Sequence, residues 1–322
     1  MRAVLAIVML LAVLWSGYWV AGSQALSRGA EAWFAAAPAQ GIEASRDSLA
    51  VRGFPNRFDL TVQDVRLADP ASGYAWQAPF AQVFSLSYKP WHIIAALPPS
   101  QTLTTPAGVI ALTSGKLQAS VIVIPGSALT LDRTTLIGTA LAATGPGFAI
   151  RADDLRLGTR IDPARADTHQ IGLEVTNLSP GVVLPDLPAA IGRLRVDAAA
   201  TLTAPLDRFA GQTRPTLAAL DLTEARLDWG TLSLSASGTL VADATGLAEG
   251  RITLRVDNWR LLIPVFVASG MIAPDFAPNL TRGLEVMASA SPDRDVLDLP
   301  VTFARGRVSL GPFPLGPAPR MN

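Results

Sequence analysis

The sequence predicts a mainly antiparallel β protein: a meandering, curved sheet or sandwich with an apolar inner face and few short helices, preceded by one N-terminal transmembrane helix. Two observations lead to this prediction. Apolar and polar residues alternate in many short segments, and one long apolar run opens the chain. Alternation is typical of half-buried strands. Helical patterns do not alternate regularly with the strand patterns, which argues against a parallel sheet.

The apolar run begins after Arg2 and continues from Ala3 to Val20, with Trp15 and Trp19 near its far end. A helix of about 18 such residues reaches across a hydrocarbon core of about 30 Å. A basic residue on the short side and aromatic residues on the other predict that the rest of the chain lies outside the cytoplasm. We therefore expect a transmembrane anchor at 3–21, a helical linker at 22–40 and an exported β-rich domain at 41–322.

A cleaved signal peptide is the alternative, because "SQA" at Ser23–Ala25 resembles a small-residue cleavage site. We favour the uncleaved anchor, since the run ends in bulky aromatic residues where a cleavable signal becomes small and polar. Arginine greatly outnumbers lysine, since Lys89 and Lys116 are the only two lysines, and this bias indicates a bacterial protein. We expect a single-pass protein of the bacterial inner membrane whose main domain lies in the periplasm.

The first clear strand pattern is "RFDLTVQDVRL". Phe58, Leu60 and Val62 alternate with polar residues, and the apolar phase then shifts at Gln63 and Asp64. Such a shift predicts a strand with a β-bulge at that point.

The segments "TLSLSASGTLVA" and "RITLRVD" alternate even more regularly, and "ATGLAEG" at 244–250 predicts a hairpin loop between them. One face of this hairpin is apolar and the other is rich in hydroxyl groups. Together with the first strand, it supplies the residues that we expect to form an apolar groove or a core face: Phe58, Leu60, Val62, Leu232, Leu234, Leu240, Ile252, Leu254 and Val256.

Few segments have helical character. "DNWRLLIPVFVASGMI" at 257–272 predicts a helix that Pro264 kinks and Gly270 ends, and "TRPTLAALDL" is a weaker candidate for a short helix. The segment "PGVVLPDLP" at 180–188 is the best internal break. It predicts that the exported domain is divided there into two halves.

The C-terminal region begins with a predicted hairpin that turns at Arg305 and Gly306. Proline cannot donate a ladder hydrogen bond, so the prolines between 312 and 319 are expected to end strand pairing and leave an extended strap over the sheet. Phe313 and Leu315 are its expected apolar anchors. The strap is either a cover that protects a sheet edge or a lid on an apolar groove.

Three segments in this order resemble a known family: "RGFPNRFDLTV" at 52–62, "NWRLLIPVFVASGMI" at 258–272 and "LDLPVTFARGRVSLGPFPLGPAP" at 297–319. Behind a single N-terminal anchor, they resemble the alphaproteobacterial domain-of-unknown-function family 2125 over nearly the whole chain. That family implies no activity and no catalytic residues. The anchored, strand-rich layout also resembles, more distantly, the AsmA-like envelope proteins, which implies a part in envelope maintenance and lipid handling.

The chain offers little chemistry for catalysis. It has no cysteine, which excludes disulfides and thiolate sites, and neither His92 nor His169 lies in a recognised catalytic or metal-binding motif. Asp153 and Asp154 are adjacent, but neighbours on a strand point to opposite faces. We expect no catalytic residues, no metal ligands and no cofactor.

The composition also limits the partners. Twenty-six acidic residues balance 26 basic residues, which argues against binding of nucleic acid. The leading hypothesis is a non-enzymatic, anchored periplasmic protein that handles or shields apolar molecules such as lipids, with Arg52 and Arg57 as head-group contacts. The alternatives are a scaffold or assembly partner of other envelope proteins, without a ligand, and an uncharacterised hydrolase.

Overall fold

The computed structural model describes residues 1–181, 184–289, 292–310 and 313–321. Strands account for 54% of the residues, and the described strand pairs are antiparallel, which confirms the predicted fold class. The helices are α1 (Arg2–Ala36), α2 (Ala210–Thr213), α3 (Leu262–Ala268) and α4 (Ala277–Ala288), with 3-10 turns at Ala37–Gln40, Trp259–Leu261 and Pro274–Phe276.

The strands follow one another with short connections. They are β1 (Glu43–Ser45), β2 (Leu49–Arg52), β3 (Arg57–Asp69), β4 (Tyr74–Leu86), β5 (Lys89–Leu97), β6 (Ser100–Thr105), β7 (Gly108–Thr113), β8 (Lys116–Val123), β9 (Leu131–Gly145), β10 (Phe148–Ile161), β11 (Thr168–Leu178), β12 (Ile191–Leu202), β13 (Leu217–Trp229), β14 (Leu232–Ala242), β15 (Ala248–Asp257), β16 (Val296–Ala304), β17 (Arg307–Leu310) and β18 (Phe313–Pro317).

The chain forms two compact units. Unit 1 contains residues 1–125 and 134–149, and unit 2 contains residues 126–133 and 150–322. The sequence predicted a division at 180–188, but the boundaries between the two units lie elsewhere. That segment connects β11 to β12, and these two strands pair with each other along most of their length. The described residues of this proline-rich segment, 180–181 and 184–188, lie between two paired strands inside unit 2.

Unit 1 is built around the long hairpin of β3 and β4. Their register runs from Arg57 opposite Leu86 to Asp69 opposite Tyr74. Strands β1 and β2 both pair with the other edge of β3, while β4 pairs with β5 and with β6.

The predicted phase shift occurs in β3. Both Val62 and Val65 are buried, although a strand without a bulge would place them on opposite faces. Asp64, which lies between them, adopts a left-handed backbone conformation with φ 45°. The local break in the alternation therefore returns the apolar side chains to the covered face of the sheet.

Helix α1 covers that face with its C-terminal half. Leu26, Ala30 and Phe34 are spaced at i, i+4 and i+8, so they share one side of the helix, and they pack against a cluster that contains Leu60 and Val65. Residues 22–36 are therefore a packed structural element, whereas the sequence predicted a linker. The N-terminal half of α1 is exposed and is long and apolar enough to cross a membrane.

Unit 2 is a meander in which each strand from β10 to β18 pairs with the next along the chain. The predicted hairpin loop at 244–250 does connect β14 to β15, although the second strand begins earlier, at Ala248. The predicted short helix at "TRPTLAALDL" is wrong, because from Leu217 this segment pairs with β12 and β14 as strand β13.

A buried cluster lies at one end of this meander. Trp259 is fully buried and donates its indole N–H to the carbonyl oxygen of Arg294 at 3.0 Å, and Ile263 and Ala288 add contacts from α3 and α4. Pro264 lies in the first turn of α3, where no intrahelical donor is required, so it does not kink the helix as predicted. Helix α4 was not predicted.

The C-terminal segment is a strand followed by a short pinned tail. The prediction that prolines end the pairing is wrong: β18 pairs with β17, with a register irregularity between Val308 and Ser309 that accommodates the prolines. Leu315 is 59% exposed, so it is not an anchor. The side chain of Phe313, like Gly311 and Pro312, lies outside the described residues.

Main-chain hydrogen bonds hold the last residues. The amide of Ala248 donates to the carbonyl oxygen of Pro319 at 2.9 Å, and the amide of Met321 donates to that of Gly246 at 2.8 Å. The amide of Leu217 donates to the carbonyl oxygen of Met321 at 3.1 Å. The tail therefore joins the ends of strands β13 and β15 through its backbone.

We expect the substitution Leu315→Ser to change the free energy of unfolding by less than about 0.5 kcal/mol, because an exposed side chain contributes little. Ending the chain after Leu310 should lower it markedly, because β17 loses its partner strand and becomes a free edge that promotes association. Thermal unfolding and size-exclusion chromatography measure both effects. A Leu315→Ser variant as unstable as the truncated chain would contradict the backbone account.

Two glycines lie where β14 and β15 approach closely: Gly238 is opposite Ile252, and Gly250 is opposite Leu240. Gly238 has φ 148°, and a Cβ atom there would lie 2.1 Å from the carbonyl oxygen of Arg251. Gly238→Ala is therefore expected to lower the free energy of unfolding by more than about 1 kcal/mol. Gly172→Ala is the matched control, since its Cβ meets nothing closer than 3.9 Å. Equal melting temperatures for the two variants would refute this account.

Candidate functional site

Unit 2 presents one continuous apolar face on its central strands. The registers place Leu240 opposite Leu220, Leu254 opposite Leu299 and Ile252 opposite Val301. Because side chains alternate along each strand, residues two apart join the same face. We call this set the apolar face: Leu220, Leu222, Leu232, Leu234, Leu240, Ile252, Leu254, Val256, Leu299, Val301 and Phe303.

Only one end of the apolar face is covered. Leu232 and Val256 are 1% and 0% exposed and belong to the buried cluster with Trp259 and Ile263. The other end remains half-buried, and among the described residues its members are not part of that cluster. This open end consists of Leu220, Leu222, Leu240, Ile252, Val301 and Phe303.

The structure thus brings six of the predicted groove residues onto one face. Leu232 and Val256 are core, Leu234 and Leu254 pack partly buried against the core, and Leu240 and Ile252 lie at the open end. Of the two alternatives that the sequence left open, the core face describes the covered end of these strands, and the apolar groove stays a prediction for the open end.

The three groove candidates in unit 1 are core residues. Phe58, Leu60 and Val62 are 6%, 8% and 8% exposed. Leu60 and Val62 belong to the cluster that α1 covers, and Phe58 lies against the aromatic rings of Tyr18 and Trp19. They therefore do not line an open groove, because the helix occupies the space over them.

The reverse face of the unit 2 sheet is polar and ion-paired. Arg195 and Asp197, Arg226 and Asp228, and Arg255 and Asp257 are neighbours on the same face of their strands and form salt bridges of 2.7, 3.0 and 3.3 Å. Hydrogen bonds from Arg226 lower the pKa of Asp228, with a further contribution from Ser233. This face is neutralised and hydrated, so the two faces of the same strands meet different environments.

A separate concave pocket of about 370 Å³ lies on unit 1, on the face of β3, β4 and β5 that α1 does not cover. Its apolar lining comes from Phe84, Leu86 and Ile94, and its polar lining includes Arg57 and His92. The imidazole Nε2 of His92 lies 3.0 Å from Ser120 Oγ. Three apolar side chains with a few polar groups form a mixed surface that suits a small amphipathic group.

The two arginines predicted as head-group contacts differ in their environment. Arg57 makes a bidentate contact with Asp59, with its Nε 3.0 Å from Oδ1, and the hydrogen bonds and charge of that carboxylate raise the pKa of the guanidinium. Arg52 is exposed, and no described acidic side chain pairs with it. Arg57 is thus already paired with a carboxylate, whereas Arg52 has no ion-pair partner among the described residues.

The remaining polar candidates make structural contacts. Asp153 accepts a hydrogen bond from Asn177 Nδ2 at 2.8 Å, whereas Asp154 contacts Thr176 Oγ1 at 3.5 Å, so the two carboxylates do not act on one atom. Across the part of the chain that the structure describes, no group of three His, Asp or Glu side chains is arranged to hold a metal ion.

The sequence did not predict the contact between α1 and two turns of unit 1. Trp15 and Trp19 donate their indole N–H groups to the carbonyl oxygens of Pro55 and Arg57 at 3.0 and 2.7 Å. The hydroxyl of Tyr18 donates to the main-chain carbonyl oxygen of Ser87 at 2.6 Å. The only signal in the sequence was the clustering of aromatic residues at the end of the apolar run, which predicted a membrane interface.

His169 is a buried titratable group in β11. It is 5% exposed, and its Nδ1 has no hydrogen-bond partner among the described residues. Burial lowers the pKa of this imidazole, and the carboxylates of Asp132 and Asp167 oppose that shift. The neutral form is therefore the one that the folded protein accommodates.

We expect the free energy of unfolding to fall as the pH drops below about 6.5, because the unfolded chain then takes up a proton that folded His169 resists. The variant His169→Gln should lose this dependence, and His92→Gln, which retains His169, should keep it. Thermal unfolding at neutral and mildly acidic pH measures the difference. An unchanged pH dependence in His169→Gln would exclude this histidine as the cause.

Comparison with known proteins gives one match. The family described as "Uncharacterized protein conserved in bacteria (DUF2125)" matches residues 19–319. No curated protein and no solved structure matches the chain. The more distant resemblance to AsmA-like proteins stays a prediction. The match extends from the aromatic end of α1 to the pinned C-terminal tail, and the chain therefore belongs to the DUF2125 family of bacterial proteins.

Proposed function

We propose that this protein is a non-enzymatic, membrane-anchored periplasmic protein that holds or shields the acyl chains of lipids on the open end of its apolar face. The observation that carries the proposal is that Leu240, Ile252 and their neighbours form a half-buried apolar surface outside the cluster to which the helices of unit 2 contribute. An apolar sheet face is stable in water only when another apolar group covers it. A lipid acyl chain supplies such a cover.

The energetics favour an acyl chain over a compact polar ligand. Each methylene group that moves from water to an apolar surface contributes about 0.8 kcal/mol. The open end consists of aliphatic residues and Phe303, without a charged side chain among them. A long hydrocarbon therefore gains affinity along its whole length, and recognition requires no sequence motif.

The N-terminal helix supports the proposed location. Its exposed, apolar N-terminal half has the length of a membrane span, and Arg2 on the short side is consistent with a cytoplasmic N-terminus. Ser23 is buried and the "SQA" segment lies inside α1. Cleavage after Ala25 would remove Trp15, Tyr18 and Trp19, whose hydrogen bonds join α1 to unit 1, so these contacts favour a retained anchor.

Site-specific photocrosslinking tests the proposal on the full chain in its own membrane. A photoreactive phenylalanine analogue at position 240 or 252 faces the open end, and the same residue at position 239 or 253 faces the polar side of the same two strands. We expect lipid adducts at 240 and 252 but not at 239 and 253. Mass spectrometry of the irradiated protein identifies the adducts.

The competing functions give different results in the same experiment. Crosslinks from 240 and 252 to other proteins, without lipid, would support a scaffold or assembly partner and overturn the lipid proposal. Crosslinks of equal yield from both faces would indicate contact with bulk membrane only. As a second measurement, Leu240→Asp with Ile252→Asp should reduce the phospholipid that copurifies, whereas Thr239→Asp with Thr253→Asp should not.

A further inference from the structure

The contacts between α1 and the sheet of unit 1 define a surface that we call the tip. It consists of the turn at residues 53–56 between β2 and β3 and the turn at residues 87–88 between β4 and β5. We propose that the tip inserts Phe54 and Tyr88 into the interface of the membrane that α1 spans, and that Arg52 and Lys89 bind the phosphates of anionic phospholipids there. This inference rests on the proposed membrane anchor.

The position of the tip along the axis of α1 is the main observation behind this inference. Trp15, Tyr18 and Trp19 contact the carbonyl oxygens of Pro55, Ser87 and Arg57. At a rise of 1.5 Å per residue, Trp15 lies only about 8 Å below the end of the apolar run at Val20. The head-group layer of one leaflet is about 5 to 8 Å thick. Because that layer begins above Val20, the tip extends from the boundary of the hydrocarbon core to about 8 Å inside it when residues 3–20 span the core, and the long side chains of Arg52 and Lys89 reach towards the phosphates above.

The tip is held firmly at this height. The ring of Phe58 stacks on that of Trp19 with centroids 6.0 Å apart, and a Cβ atom on Gly22 would lie 2.6 Å from Phe58 Cζ. The helix thus approaches β3 as closely as a glycine allows. The amide of Ser87 donates to the carbonyl oxygen of Asn56 at 2.9 Å, which joins the two turns.

The side chains of the tip have the composition of a membrane interface. Phe54 and Tyr88 are 57% and 53% exposed, although both are large aromatic residues. The cations Arg52 and Lys89 flank them, are exposed, and have no ion-pair partner among the described residues. Aromatic rings prefer the boundary between lipid and water, and unpaired cations bind anionic head groups. Arg57 is excluded from this role, because Asp59 already pairs with it.

A lipid surface suits the tip better than a protein partner. The tip lies beside the apolar part of α1, so lipid already surrounds it when the helix spans a membrane. The opposite end of the same hairpin provides an internal comparison: Tyr74 is 51% exposed, at the far end of β4 from the tip and about 40 Å away along the strand.

The absence of cysteine from the chain allows a direct test with single labels. Full-length Phe54→Cys, Tyr74→Cys and Met9→Cys variants each carry one environment-sensitive fluorophore, in nanodiscs that contain phosphatidylglycerol. Lipids with a nitroxide near the head group or deep in the acyl chain serve as quenchers. We expect head-group nitroxides to quench position 54 strongly and position 74 not at all, and deep nitroxides to quench position 9.

The possible results distinguish the proposal about the tip from the proposal about the membrane anchor. Quenching at 9 without quenching at 54 would refute the proposed insertion of the tip and leave the proposed anchor intact. An unquenched label at 9 would refute the proposed anchor itself. In phosphatidylcholine nanodiscs with a small fraction of nitroxide-labelled phosphatidylglycerol, adding Arg52→Gln and Lys89→Gln to the Phe54→Cys variant should reduce its quenching, because the cations no longer concentrate the anionic lipid at the tip. Unchanged quenching in that variant would refute the assignment of these two cations to lipid phosphates.

Discussion

An antiparallel sheet whose strands alternate apolar and polar residues must cover its apolar face, and the two units of this chain do so differently. In unit 1 the cover is the C-terminal half of α1, which lays Leu26, Ala30 and Phe34 over the long hairpin. In unit 2 the short helices α3 and α4 cover one end of the face, and the strands extend beyond them. The remaining apolar surface is what makes the chain a candidate for lipid handling.

The polar faces explain why the chain combines high apolar content with zero net charge. Arginine and aspartate side chains two residues apart on one strand pair across the hydrated face, as Arg195 does with Asp197 and Arg226 with Asp228. Exposed pairs of this kind contribute little to stability. Their effect is to keep one side of the sheet soluble without producing a long-range field, while the other side remains apolar.

Helix α1 has two environments along its length. Its N-terminal half is exposed and apolar, and its C-terminal half is part of the fold of unit 1, with the aromatic residues Trp15, Tyr18 and Trp19 at the transition. A helix that is only a tether would leave the domain free to move relative to a membrane. Here the indole and phenol groups bind main-chain carbonyl oxygens, so the domain and the helix share one fixed orientation within unit 1.

The sequence by itself determined the fold class, the position of the apolar helix, the two faces of β14 and β15 and the membership of the family. These features depend on local periodicity and on the chemistry of single segments. Only the tertiary structure decided that α1 covers Phe58 and Leu60, that Leu217 begins a strand, that the strands on either side of 180–188 pair within one unit and that the backbone holds the C-terminal tail. The contacts of α1 show why, because their partners are distant in the sequence: Trp15 and Pro55 are 40 residues apart, and Tyr18 and Ser87 are 69 residues apart. Alternation fixes which side of a strand is apolar, but the element that covers that side is chosen by packing between remote segments, and no local pattern encodes it.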